Sequence, residues 1–381
     1  MTAMTKIGAL TATVLFAFVL TAGFFLSLFV RDENAMSLEQ RRPAAFPGPD
    51  TLLSGAFGAQ FEAWYADRFP FRSTAVGLNA RYTQMTTRSY SRNLYTGSEG
   101  YLFARDYYAH NLTEAAEAIN RLAALRPELP FYYVSLPRKS PALPELLPPH
   151  ANTDWMPQSA DFLSMLTVPT IDIGAEVAAL PLETRKGFYY KGDSHWTADG
   201  AFFAFLQMAD RLYRDGVLPL PLSASQFARR VVPNVAFRGD LNRQTNYLLP
   251  LDEPVVYYDS LGGHDWTYRH DGPEPVWAAG TGQSDMGYNE AYTANLGRYT
   301  IESRVALTQL RVLVVKDSFQ NPTSDWFPVL FADTEIIDIR YTHDKAADIV
   351  SSSDADLILI LYNSGNVSVD AGNNMFDFFA P

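Results

Sequence analysis

The chain has 381 residues, 47% of them apolar and 19% charged, which is long enough to bury a large core and ordinary enough in composition to be globular. A formal net charge of −12 lacks the basic footprint that nucleic-acid phosphates need, and it weighs against polyanionic substrates unless a local basic cleft overrides it. The absence of cysteine excludes disulfides, thiol catalysis and cysteine-ligated metals.

In chain order, the first element is residues 7–30, 24 residues without a charge. As a helix this stretch spans about 36 Å, enough to cross a hydrocarbon core of about 30 Å. Lys6 precedes it and Arg31, Asp32 and Glu33 follow, which places the N-terminus inside. The run is too long for the apolar region of a cleaved signal peptide, and Phe24-Phe25-Leu26 continues past the small residues Thr21-Ala22-Gly23. The expectation is a single-pass signal anchor over residues 1–31, with residues 32–381 extracellular or periplasmic.

Residues 31–56 are polar and rich in Pro and Gly and read as a linker, opening an N-terminal segment over 32–95. Phe57, Phe61, Trp64, Tyr65 and Phe69 fall at helical spacing, and Pro70 ends that helix. Gly97-Ser98-Glu99-Gly100 predicts the turn of a hairpin. An α/β alternation over 96–381 follows. It comprises a helix capped by Thr113, strands over 131–136 and 167–173, and a helix over 198–213 capped by Thr197 and ended by Gly216. Residues 222–305 read as an irregular, partly β insertion rich in Gly, Tyr, Trp and Asp. Apolar runs at 311–315, 335–340 and 356–362 then predict strands of a parallel sheet covered on both faces.

Two short motifs carry the chemistry. Asp193 and His195 stand two residues apart, so in extended backbone they face the same side. A carboxylate that accepts the Nδ1 proton of an imidazole leaves Nε2 free as a base. Ser318 follows the 311–315 strand, at the end where α/β sheets place their ligands. A helix starting there would aim backbone N–H groups at an oxyanion, and Asn363 or Asn366 could donate to the same oxygen. Each motif also has a plainer reading, as a capping loop, an N-cap and an Asn/Gly turn respectively. His343 could stand behind the site. Asp193, His195 and Asp240 could meet a metal, but no dense His/carboxylate cluster accompanies them, and neither metal nor cofactor is expected.

These residues, in this order, resemble the SGNH-hydrolase-like proteins of the DHHW and alginate O-acetyltransferase type. The resemblance covers most of residues 36–381. Residues 37–47 (SLEQRRPAAFP) are similar to the family's opening segment, and 61–72 (FEAWYADRFPFR) to its FE-x-x-x-x-D-x-F-P-x-R helix. Gly97 to Phe103 resembles its G-x-x-G-[WY]-L-F turn, and Pro137-Arg138-Lys139 its P-x-K strand end. Gly192-Asp193-Ser194-His195-Trp196-Thr197 is similar to the D-x-H-W-T signature, Lys316-Asp317-Ser318-Phe319 to the G-D-S-F block, and Asp338-Ile339-Arg340-Tyr341 to the strand after it. Two residues depart from the pattern. Ser194 stands for the first His, and Lys316 for a Gly, where its side chain is expected to crowd the nucleophile turn.

The resemblance implies an SGNH-like parallel sheet flanked by helices and an extracytoplasmic O-acetyltransferase acting on a polysaccharide. Ser318 would be the nucleophile, His195 the general base and Asp193 its orienter. Asn363, Asn366, Tyr341, Arg340 and Trp196 are the oxyanion or substrate candidates. It also implies a multi-pass membrane acyltransferase as acetyl donor. A carbohydrate acetylesterase with the same three groups, or a glycan-binding envelope protein without catalysis, are the alternatives.

Overall fold

The first apolar stretch folds as one helix, α1 (Ala3–Ser27), in the computed structural model. The structure describes residues 3–27, 43–91, 93–105, 112–251, 253–270, 285–292, 296–338, 340–342 and 344–365. Asn366, His343 and the charges at 31–33 that follow the apolar stretch lie outside the described residues. Leu10–Ser27 has a mean hydropathy of 2.0, so α1 is long and apolar enough to cross a membrane. The chain divides into two compact units, Met1–Arg92 with Arg243–Leu249, and Asn93–Asn242 with Pro250–Pro381.

In the first unit, α2 (Phe57–Arg68) carries the expected aromatic stripe and stops before Pro70. Phe46 packs edge-on against Phe57, Phe61 and Trp64, so the stripe binds the preceding segment to the helix. A second helix, α3 (Arg72–Thr87), follows.

The second unit opens with the predicted hairpin, β1 (Leu94–Thr96) against β2 (Leu102–Ala104). Helix α4 (Leu112–Ala124) contains Thr113 within its first turn rather than before it. Then come β3 (Phe131–Leu136), β4 (Thr170–Asp172) and α5 (Ala198–Arg214), which Thr197 caps by accepting from the Gly200 N–H. The insertion contributes β5 (Phe227–Val231), β6 (Val256–Ser260), β7 (Trp266–His270) and β8 (Arg298–Ser303). The alternation resumes with β9 (Thr308–Lys316), β10 (Phe331–Asp338), α6 (Ala346–Ser352) and β11 (Leu357–Asn363).

The main sheet runs β4-β3-β11-β9-β10-β8-β7. The stretch from β4 to β10 is parallel throughout, while β8 and β7 add antiparallel strands at one edge. The insertion is therefore partly built into the sheet. Residues alternate between two cores, as the pleat requires. Val134, Leu136, Val312, Val314, Leu359 and Leu361 face α5 and bury Phe202, Phe205, Met208 and Leu212 against it. Those four α5 side chains contribute about 1.5–3 kcal/mol each. Phe131, Leu313, Val315, Ile358 and Ile360 face the other way, against Ile119 and Leu122 of α4 and Ile349 and Val350 of α6. This two-sided burial is why the parallel strands read as unbroken apolar runs.

Candidate active site

β9, the strand before Ser318, is parallel to both neighbours, so its C-terminal end opens at the sheet edge where loops gather. Asp317 leaves the strand in extended conformation and caps the turn Ser318–Thr323 by accepting from the Phe319 N–H at 2.8 Å. Its other oxygen accepts from the backbone N–H and the side-chain amide of Asn363, at 2.9 and 2.8 Å. Asp317 thus ties the Ser318–Thr323 turn to the end of β11.

A second loop meets this turn from the N-terminal side of α5. Tyr189 and Trp196 form an isolated antiparallel bridge, so residues between them make a pinned excursion. Asp193 Oδ1 lies 2.7 Å from His195 Nδ1, and His195 Nε2 lies 2.8 Å from Ser318 Oγ. The structure therefore brings Asp193, His195 and Ser318 into one hydrogen-bonded line, in the geometry of a serine triad. Asp193 is fully buried, while the His195 side chain keeps 17% of its surface open. Burial alone would raise the Asp193 carboxyl. The hydrogen bond and charge of His195, with the N–H groups of Asp240 and His195, hold it down at about 2 instead. Asp193 is thereby kept ionised beside the His195 ring.

Three side chains hold the loop's backbone. Lys139 donates to the carbonyls of Tyr190, Lys191 and Asp193. Glu253 accepts from the N–H groups of Lys191 and Gly192, at 2.6 and 3.1 Å. Asp240 donates its own N–H to Asp193 Oδ2 and accepts from both the N–H and the hydroxyl of Ser194, at 2.8 to 2.9 Å. Tyr288, from the insertion, stacks on the His195 ring at 3.8 Å and 12°.

The site opens into a cavity of about 270 Å³ lined by Arg138, Lys139, Ser140, His195, Ser318 and Asn363 among others. Arg340 also lines it. The remaining sequence candidates separate. Asn363 lines the cavity, with its Oδ1 accepting from Arg138 and from the Gly365 N–H. Trp196 is buried and donates to the Phe319 carbonyl at 2.8 Å, a packing link between the two loops. Tyr341 is 51% exposed, its ring beneath the Arg340 guanidinium, and it does not line the cavity.

Lys316 does not crowd the turn. Its ammonium is buried, bonded to Asn321 and 2.8 Å from Asp338, which also pairs with Arg340. Burial pushes the Lys316 pKa down, and the Asp338 charge opposes that shift. Residues that sequence reasoning did not assign to the site are Arg138, Lys139, Glu253, Tyr288 and, outside a metal role, Asp240. Only Lys139 had a visible signal, in the Pro-x-Lys strand end.

The chain's own sequence matches, over residues 94–257, the family described as "SGNH hydrolase-like domain, acetyltransferase AlgX". No curated protein sequence matches it. Among solved structures, Bacillus cereus PatB1 with a sulfonyl adduct is 23% identical, with a TM-score of 0.66 over 75% of this chain and 97% of that one. A DHHW family protein from Eubacterium siraeum is 16% identical, with a TM-score of 0.56 over 73% and 92%. The chain is thus similar in sequence to the SGNH-like acetyltransferase domain and shares its fold with a DHHW protein.

Proposed function

We propose that the chain is an extracytoplasmic O-acetyltransferase, anchored by α1, that moves an acetyl group through Ser318 to a hydroxyl of a polysaccharide. The observation that carries this reading is the line Asp193–His195–Ser318, with its contacts of 2.7 and 2.8 Å. The matched acetyltransferase domain supports the group transferred.

Ser318 Oγ gives its proton to His195 Nε2 as it attacks the acetyl carbonyl of the donor. The resulting oxyanion is met by donors bordering the cavity, among them Arg138, Arg340 and the Asn363 amide. His195 returns the proton to the leaving group, and an acetyl-serine remains. A sugar hydroxyl then gives its proton to His195 and attacks the ester carbonyl, the bond to Ser318 Oγ breaks, and His195 passes the proton to Oγ as the acetylated glycan leaves. A multi-pass membrane acyltransferase is the proposed source of the acetyl group.

The test compares wild type and Ser318→Ala on p-nitrophenyl acetate, with and without neutral and acidic oligosaccharides, by mass spectrometry. Turnover should fall by about 10³-fold or more in the variant. The wild type alone should carry acetyl on Ser318 and yield acetylated sugar. Hydrolysis without acetyl-sugar would make the protein an esterase. Equal turnover in both proteins would remove Ser318 from the chemistry.

A further inference from the structure

The acyl-transfer chemistry leaves a second cavity unused. It measures about 220 Å³ and lies among insertion residues and the far end of the nucleophile turn. Tyr257 and Trp266, both half-buried, contribute aromatic surface, with Asp259, His264 and Asp325 beside them and Pro322 on one side. Its floor is firmly built. Trp326 packs edge-on against Phe202 and Phe205 and donates to the Tyr258 carbonyl, while Tyr258 stacks on Phe202 at 3.9 Å.

Two features connect this cavity to the triad. The turn Ser318–Thr323 has Ser318 and Phe319 in the first cavity and Pro322 in the second. At about 2 Å of rise per residue, Ser318 and Pro322 stand about 8 Å apart along it. Tyr292, another lining residue, lies 5.0 Å from Tyr288, the ring stacked on His195. A glycan engaged at Ser318 would have its neighbouring units within reach of such a place.

The lining also states what fits. Aromatic faces suit the C–H face of a sugar ring, and carboxyl oxygens suit its hydroxyl donors. Among the described residues no Lys or Arg lines this cavity, whereas Arg138, Lys139 and Arg340 line the first. Asp325 accepts from the Tyr268 hydroxyl, and burial pushes its carboxyl up to about 7. Asp259 is paired with His264 at 2.6 Å. A uronate or sulfated ring would meet the Asp259 and Asp325 carboxyl groups, with Arg230, 3.9 Å from the second Asp259 oxygen, half exposed and outside the lining.

We propose that this cavity binds a neutral pyranose unit of the acceptor glycan, next to or one removed from the unit that is acetylated. The proposal rests on the acyl-transfer reading above, and its test separates the two. The full chain in detergent is titrated with chitotetraose, cellotetraose, tetragalacturonate and tetramethylammonium chloride, followed by tryptophan fluorescence and saturation-transfer NMR. Wild type is compared with Trp266→Ala, Trp266→Phe and Tyr257→Ala, with the thermal midpoint of each reporting its folding.

A neutral tetrasaccharide should bind wild type, weaken about tenfold or more in Trp266→Ala and Tyr257→Ala, and recover most of its affinity in Trp266→Phe. Should Trp266→Ala unfold, Trp266→Phe and Tyr257→Ala carry the comparison. Neutral sugars that fail to bind, or that bind folded variants as tightly as wild type, overturn the proposal. So does Trp266-dependent binding of only tetragalacturonate or only tetramethylammonium. Wild-type hydrolysis of p-nitrophenyl acetate in the same preparation reports on the triad alone. Hydrolysis without sugar binding overturns the cavity assignment and leaves the triad. Trp266-dependent sugar binding without hydrolysis supports the cavity assignment and removes the triad.

Discussion

Asp240 shows how much of this site is decided by one side chain that never faces the cavity. It braces Asp193 through its N–H and Ser194 through its carboxylate, so His195 hangs from a loop fixed on both sides. Burial, then the charge of Asp193, raises the Asp240 carboxyl to about 6. Its folded pKa lies above the unfolded value of about 3.9, so its stabilising contribution is complete below about pH 4 and lost as pH rises through about 6. Asp193, held at about 2, has the opposite sign, contributing above about pH 4 and failing as pH falls through about 2. Asp240→Asn removes the first of these terms. Urea unfolding at pH 4 and 7.5 should show wild type losing on the order of 2–3 kcal/mol relative to the variant across that interval. The variant's amide also offers Ser194 a donor where a second acceptor stood. Its kcat for ester turnover should fall about tenfold with KM little changed, because the loss is in orientation of His195 rather than in substrate contact. A drop in KM-dependent binding alone would show that Asp240 acts on the substrate instead. No spacing rule marked this role, since the separation of 47 positions between Asp193 and Asp240 is crossed only by folding.

The decisive element is the pinned loop between Tyr189 and Trp196, and one glycine sets how close its support can come. A Cβ on Gly239 would lie 2.0 Å from the Gly192 carbonyl oxygen and 2.8 Å from the Asp193 nitrogen, contacts that backbone atoms cannot absorb without moving. Gly239→Ala should therefore displace the Asp193 segment, cost about 2–4 kcal/mol of stability, and cut kcat by about 10²-fold, since misplacement of about 1 Å is enough for that. Comparing thermal midpoint and ester turnover in the same variant checks both, and unchanged turnover would mean that the loop is not held from this side. Legibility follows the same division. Asp193, His195 and Ser318 were visible because each sits in a short local motif beside a recognisable strand or helix start. Tyr288 was not, because it comes from a segment without period and reaches His195 only through tertiary packing. Lys316 was misleading in the other direction. Its size suggested crowding, but its strand register opposite Asp338 gives the ammonium a buried anionic partner, and its bond to Asn321 ties it to the turn.

For the molecule as a whole, the parallel strands were readable where burial on both faces leaves an apolar run, as at 312–315 and 357–361, whereas the polar Asp333-Thr334-Glu335 hid the start of β10, which runs Phe331–Asp338 rather than over 335–340. The edge strands β7 and β8 were not, because their exposed positions carry polar residues such as Thr267, Arg269 and Arg298 and break the apolar signal. The same contrast between buried and exposed chemistry bears on the acceptor. A net charge of −12 repels polyanions at long range, although three cationic side chains line the triad cavity. All three are already engaged, Lys139 by backbone carbonyls, Arg138 by the Asn363 side chain and Arg340 by Asp338. The molecular charge should therefore dominate approach, and the cavity cations should act only at contact. Screening shortens from about 30 Å at 0.01 M salt to about 8 Å at 0.15 M. Over that range kcat/KM for an anionic acceptor such as tetragalacturonate should rise several-fold, as repulsion is screened. The value for chitotetraose should stay within about 1.5-fold, since a neutral ligand gains nothing from screening. Acetyl-sugar formation at a series of salt concentrations measures both. A fall with salt for the anionic acceptor would mean that Arg138 and its neighbours steer it in against the molecular charge, and the acceptor class would then be acidic.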